Sequence, residues 1–124
     1  MENEIKILVC DDSMTVRKKL VQSLNTIQPC IVFEADNGVT AVQAYEQNTP
    51  DLVFMDIMMP EKDGLQAVTE IIELDPSAKI VMLSSVGTKS NLKKALEVGA
   101  VDFLQKPCEE DKLRNLLNTY GRKE

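Results

Sequence analysis

Acids, a hydroxyl and an amine stand at the ends of short apolar runs in this chain. Asp11-Asp12 follow Ile5-Lys6-Ile7-Leu8-Val9-Cys10, and Asp56 follows Leu52-Val53-Phe54-Met55. Ser84 follows Ile80-Val81-Met82-Leu83, and Lys106 stands just past Val101-Asp102-Phe103-Leu104. If those runs are parallel strands, their C-terminal ends share one edge of a sheet and these side chains meet in one pocket. Asp11, Asp12 and Asp56 would then repel one another and raise at least one carboxyl pKa unless a cation intervened. The chain has no histidine, so the donors are oxygens. Mg2+ is the natural ion, ahead of Ca2+ or Mn2+. Mg2+ takes few protein carboxylates and leaves positions for phosphate oxygens, so the pocket suits a phosphoryl group.

Lys106 brings a compact positive charge that can pair with Asp56 and later with a phosphoryl oxygen. Ser84 brings a hydroxyl donor, and the small Ser85 beside it leaves room. Each residue also has a plainer role. Asp11, Asp12 or Ser13 can cap a helix, Asp56 can cap a turn, Lys106 can be a solvated lysine, and Ser84 can satisfy a carbonyl. Two acidic clusters at adjacent strand ends, with the lysine and serine converging on them, favour the chemical reading.

The elements that must position these groups follow from the pattern. Strands are expected near Ile5–Cys10, Cys30–Ala35, Asp51–Met55, Lys79–Leu83 and Val101–Leu104, most of them runs of consecutive apolar residues suited to strands covered on both faces. Between them lie helical patterns. Val16, Leu20, Leu24 and Ile27 share one face of a helix from Ser13 to Ile27. Leu65, Val68, Ile71 and Ile72 do so in the third helix, and Leu113, Leu116, Leu117 and Tyr120 in the last. Asp63 and Gln66 read as a capping pair, Thr49-Pro50 and Asp75-Pro76 as helix stops, and Gly99 as the left-handed residue after the fourth helix. Strand–helix alternation with right-handed crossovers gives an α/β fold: a doubly wound five-stranded parallel sheet, order 2-1-3-4-5, with five helices. In that order the first and third strands adjoin at the topological switch point, where such sheets bind ligands. Asp11-Asp12 and Asp56 end those two strands.

Bulk properties narrow the function. The 124 residues suit one domain, and a net charge of −6, from 14 basic and 20 acidic residues, argues against a nucleic-acid footprint. No apolar run has the length of a membrane span, and Met-Glu-Asn-Glu-Ile lacks the features of a signal peptide, so a cytoplasmic protein without membrane insertion is expected. Cys10, Cys30 and Cys108 show no metal-ligand spacing and read as thiols in a reducing compartment. Without histidine there is no serine–histidine or cysteine–histidine pair.

The motifs Cys10-Asp11-Asp12-Ser13, Met55-Asp56-Ile57-Met58-Met59-Pro60 with Asp63-Gly64, Leu83-Ser84-Ser85 and Gln105-Lys106-Pro107 resemble the receiver domain of two-component response regulators. The likeness spans essentially the whole chain, 1–124, and is to the single-domain, chemotaxis-type (CheY-like) form. The resemblance implies that Asp56 is the phosphorylation site, taking a phosphoryl group from a sensor histidine kinase or phosphotransfer protein as an acyl phosphate. It implies Mg2+ held by Asp12, Asp56 and the main-chain carbonyl of Met58, with Asp11 acting mostly through water. It assigns Lys106 and Ser84 to reading the phosphate, and Ser84 and Phe103 to the switch. The output surface for a downstream protein would be the fourth helix, fifth strand and fifth helix. The protein would be a switch catalysing only its own phosphoryl transfer and loss.

Three positions depart from the family pattern. Met58 and Val86, two residues after Asp56 and Ser84, are apolar and cannot orient an attacking water, so slow dephosphorylation is expected. Cys108 stands where an aromatic commonly follows Lys-Pro, which alters packing behind the lysine. Competing readings fit less well. A Mg2+-dependent phosphatase or phosphotransferase would need a second acid two residues after Asp56 and a cap over its substrate. An interaction module that never takes phosphate should have lost Asp56, an acid of the pair or Lys106. A flavin carrier would need hydroxyls and glycines in the first loop.

Overall fold

A computed structural model describes residues 4–85 and 89–121. Ten elements alternate along the chain: β1 (Ile5–Cys10), α1 (Met14–Ile27), β2 (Cys30–Ala35), α2 (Gly38–Asn48), β3 (Leu52–Asp56), α3 (Gly64–Leu74), β4 (Ile80–Ser84), α4 (Lys89–Val98), β5 (Asp102–Gln105) and α5 (Glu110–Tyr120). The five strands are all parallel, in the order β2-β1-β3-β4-β5. The expected fold is the observed one.

Strand alternation sorts the core into two layers. On one face Leu8, Cys10, Val53, Met55, Ile80 and Met82 pack with Ala41, Val42 and Tyr45 of α2, Ala67, Val68 and Ile71 of α3, and Ala95 of α4. On the other, Ile7, Val9, Leu52, Phe54, Val81, Leu83 and Leu104 meet Leu20 and Leu24 of α1 and Leu113, Leu116 and Leu117 of α5. Successive strand residues point to opposite faces, so runs with no polar interruption are what a doubly covered sheet requires. Burial of each large side chain contributes about 1.5–3 kcal/mol.

Caps set where the helices begin and end. The Ser13 hydroxyl accepts the Val16 N–H at 3.2 Å and the Asn37 side chain accepts the Thr40 N–H at 2.9 Å. Asp63 and Gln66 form a reciprocal capping box at α3. Thr49 and Asp75, each followed by proline, cap the ends of α2 and α3. Gly99 takes a φ of +134°, the positive side that glycine tolerates.

The last three strands begin and end one residue later than the expected Asp51–Met55, Lys79–Leu83 and Val101–Leu104. The reason is at the edge of the sheet: Asp56, Ser84 and Gln105 lie inside the ladder, with Asp56 opposite Leu83 and Ser84 opposite Gln105. Their backbones pair as strand, while the side chains of Asp56 and Ser84 are buried at the pocket end and that of Gln105 is exposed. Among the described residues, no helix is long and apolar enough to cross a membrane.

Candidate functional site

The C-terminal ends of β1, β3, β4 and β5 converge as the topology requires. Asp11 follows β1, and its N–H donates to the Ala35 carbonyl of β2 at 3.1 Å, extending the β1–β2 ladder by one bond. Its side chain is buried, 1% exposed. One carboxylate oxygen accepts the Ser13 N–H at 2.9 Å, and the other accepts the Lys106 ammonium at 2.9 Å. Asp56 closes β3, also buried, with Oδ1 3.2 Å from Lys106 Nζ. Asp12 is exposed beside them. Ligand oxygens of Asp11, Asp12 and Asp56 all lie within 4.8 Å of one another.

Lys106 is anchored from its own backbone. Its N–H donates to the Ser84 carbonyl at 2.8 Å, tying the end of β5 to the end of β4, and the Lys106–Pro107 peptide is cis. The ammonium reaches two acids, Asp11 as well as the expected Asp56. Among the described residues, one ammonium contacts the carboxylates directly, against three acids, which leaves a surplus of negative charge. Burial first, and the neighbouring Asp11 charge second, push the Asp56 carboxyl from 3.8 up to about 6; Lys106 opposes the shift and Asp12 adds to it. Burial works to lower the Lys106 pKa, but its hydrogen bond to Asp11 and the charges of Asp56 and Asp11 outweigh it and hold the ammonium above its ordinary range.

A hard divalent cation fits this donor set: oxygen ligands, excess negative charge, and one exposed carboxylate where solvent can complete the shell. Asp11, Asp12 and Asp56 supply the side-chain oxygens. Met58 lies two residues beyond β3 with its side chain exposed, and its sulfur accepts the Asn91 side-chain N–H of α4 at 4.0 Å.

Ser84, the last residue of β4, is buried next to the ladder partner of Asp56. Phe103 on the edge strand β5 is 46% exposed, so it is not a core aromatic in this conformation. Val86 lies outside the described residues. Ser13, not Asp11 or Asp12, caps α1. Cys10, Cys30 and Cys108 are all free; burial, foremost, raises the thiol pKa of each.

Two residues that the sequence did not single out join the site. The Arg17 guanidinium donates to the Asp11 carbonyl at 2.8 Å and to Glu34 of β2 at 2.9 Å, and Lys18 meets the other Glu34 oxygen at 2.7 Å. Neither has a sequence signal, since charged residues on a helix and an edge strand read as solvated surface. Gly64, at the start of α3, packs directly on the strand end: a Cβ there would lie 2.0 Å from the Asp56 carbonyl oxygen. A groove of about 760 Å³ along α1 between Met14 and Thr26 contains none of the acids, so chemistry rather than concavity marks the site.

Comparisons with known proteins agree with this geometry. The family profile of the response regulator receiver domain matches residues 7–118. The chemotaxis protein CheY of Listeria monocytogenes is 39% identical over 118 residues, covering 95% of this chain and 99% of that one. The CheY of Bacillus subtilis is 40% identical over 113 residues, covering 91% and 94%. Among solved structures, a receiver domain protein from Clostridium thermocellum superposes with a TM-score of 0.88 at 26% identity, covering 94% of this chain and 93% of that one. The CheX–CheY–BeF3–Mg complex from Borrelia burgdorferi matches with a TM-score of 0.85 at 31% identity, covering 93% and 89%.

Proposed function

Because the chain belongs to the response regulator receiver domain family, we propose that it is a CheY-like switch of a two-component system, turned on by phosphorylation of Asp56. The donor is the phosphohistidine of a sensor histidine kinase or phosphotransfer protein. A carboxylate oxygen of Asp56 attacks phosphorus and forms the new P–O bond. The P–N bond to the donor imidazole breaks, its electron pair staying on that nitrogen, which then takes a proton. The product is an acyl phosphate on the protein.

Asp11, Asp12 and Asp56, with the Met58 main-chain carbonyl, would hold Mg2+. When bound, the ion supplies neutralisation of phosphoryl charge and alignment of the reacting oxygens. Lys106 carries the other part. It now divides its charge between Asp11 and Asp56, and on transfer it moves to a phosphoryl oxygen. The Ser84 hydroxyl donates to a second oxygen as a strong charge-assisted hydrogen bond. Movement of Ser84 vacates space near α4, and Phe103, exposed in this conformation, turns inward to fill it. Exposed Leu96, Val98, Val101 and Phe103 lie on α4, β5 and the connection between them, where a downstream protein would read the change together with α5. The protein is a phospho-acceptor, not a turnover enzyme. We place it in the cytoplasm, where its three thiols stay reduced.

The observation that carries this reading is the sharing of Lys106 between two buried acids, 2.9 Å from Asp11 and 3.2 Å from Asp56. Incubation with Mg2+ and a small phosphodonor, followed by intact-mass measurement, tests it. One phosphoryl addition is expected on the wild type and none on Asp56→Asn. An unmodified wild type, with the cognate kinase as well as the small donor, would refute the reading.

A further inference from the structure

Asp12 is the exposed member of the acid cluster, and among the described residues its carboxylate accepts no hydrogen bond. Its position is therefore inherited from the backbone on either side. Asp11 is held at its N–H by Ala35 and at both carboxylate oxygens by Ser13 and Lys106. The Asp11–Asp12 peptide plane is a separate degree of freedom, and rotating it swings the Asp12 side chain. The carbonyl of that plane is fixed by Arg17 Nη1 at 2.8 Å.

Arg17 is itself held on three sides. Its backbone N–H donates to the Ser13 carbonyl at 3.0 Å in the first turn of α1. Its Nε donates to Glu34 at 2.9 Å, and its side chain is only 12% exposed. Lys18 closes on the second Glu34 oxygen at 2.7 Å. The guanidinium has a rigid fork, so one end can grip Glu34 while the other grips the carbonyl. A lysine carries its donors on a single nitrogen and lacks the two separate donor atoms, Nε and Nη1, that make these contacts.

We propose that Arg17, clamped by Glu34, is a positioning residue for cation binding: it fixes the Asp11–Asp12 peptide plane and so holds the Asp12 carboxylate at the metal site. The inference rests on the reading of the acid cluster as a Mg2+ site. It carries a sign that distinguishes it from simple electrostatics. Arg17 is a positive charge close to the cluster, and by Coulomb's law alone its removal would tighten binding of a cation. If its role is positioning, removal loosens Asp12 and weakens binding despite the lost repulsion. Groups that orient metal ligands typically change affinity by about tenfold or more.

The test is calorimetric titration of Mg2+ into wild type, Arg17→Met, Arg17→Lys and Glu34→Gln at fixed ionic strength. Urea unfolding of each in EDTA runs alongside. Arg17→Met and Arg17→Lys are expected to bind Mg2+ about tenfold more weakly, and Glu34→Gln to show a smaller loss of the same sign. Metal-free unfolding midpoints should move little, because Glu34 keeps Lys18 as an ion-pair partner when Arg17 is replaced. Equal or tighter binding by Arg17→Met overturns the inference while leaving the metal site intact. So does a loss of affinity that merely tracks a large loss of metal-free stability. A wild type with no saturable Mg2+ binding overturns the underlying reading of the cluster instead.

Discussion

Replacing Gly64 with alanine opposes two effects whose sizes can be compared. Gly64 begins α3, and alanine is favoured over glycine inside a helix by about 1 kcal/mol, so helix propensity alone predicts a more stable protein. The packing predicts the reverse. The added Cβ would sit 2.0 Å from the Asp56 carbonyl oxygen and 2.9 Å from both the Asp56 carbonyl carbon and Ile57 Cα. All three are backbone atoms that cannot rotate aside. Tolerable contact requires that α3 and the strand end separate by about 1 Å, in the range where overpacking costs about 3 kcal/mol. The 2.7 Å hydrogen bond from the Gly64 N–H to the Ile57 carbonyl is stretched in the process. We expect Gly64→Ala to be less stable by about 2 kcal/mol in urea unfolding, the packing cost less the propensity gain. Phosphorylation of Asp56 by a small donor, followed by intact mass over time, should slow by about 100-fold, as displacements of about 1 Å at a reacting group do. A variant as stable as wild type that phosphorylates within a few-fold of its rate would refute this account of why glycine stands there.

Met58→Asn should lose its phosphoryl group faster than wild type, because an amide two residues after Asp56 can orient water that the thioether cannot; equal or slower loss in a timed mass assay would sink the idea. Tyr45 donates to Asp75 at 2.7 Å across the α2–α3 interface, and that bond, then those from Ser77, hold the Asp75 carboxyl below its ordinary range. A depressed carboxyl stabilises the fold above its unfolded pKa and loses that contribution as pH falls through the lower folded value. Tyr45→Phe should therefore cost about 1–2 kcal/mol at pH 7, and the gap to wild type should narrow in acid. Urea midpoints from pH 7 to pH 3 that run parallel for the two proteins would contradict this.

The sheet was legible because its strands are covered on both faces and carry runs that solvent-exposed strands do not. Their last residues were less so. Asp56, Ser84 and Gln105 pair as strand, yet hydrophobicity marks only side chains, and theirs are polar. The convergence of Asp11, Asp12, Asp56 and Lys106 followed from topology alone. The double engagement of Lys106 did not, because it depends on how far a flexible stem reaches. Arg17 and Glu34 escaped notice for a related reason: a charge on α1 and another on β2 acquire meaning only when the sheet edge brings them to the Asp11 carbonyl. The exposed setting of Phe103 likewise depends on β5 being an edge strand with one neighbour.

The ion pair between Lys106 and Asp11 joins residues 95 apart in sequence, from strands separated by two others in the sheet. Closing a loop that long costs more entropy than the nearer pairings do, which favours the shorter-range contacts forming first. Until β5 docks, Asp11 and Asp56 approach each other at the β1–β3 edge without their shared ammonium, and their repulsion works against closing that end. The acid pocket therefore has its full set of charges only when β5 is docked. A partly synthesised or partly folded chain holds the acids without the lysine, and chemical competence arrives together with the last strand.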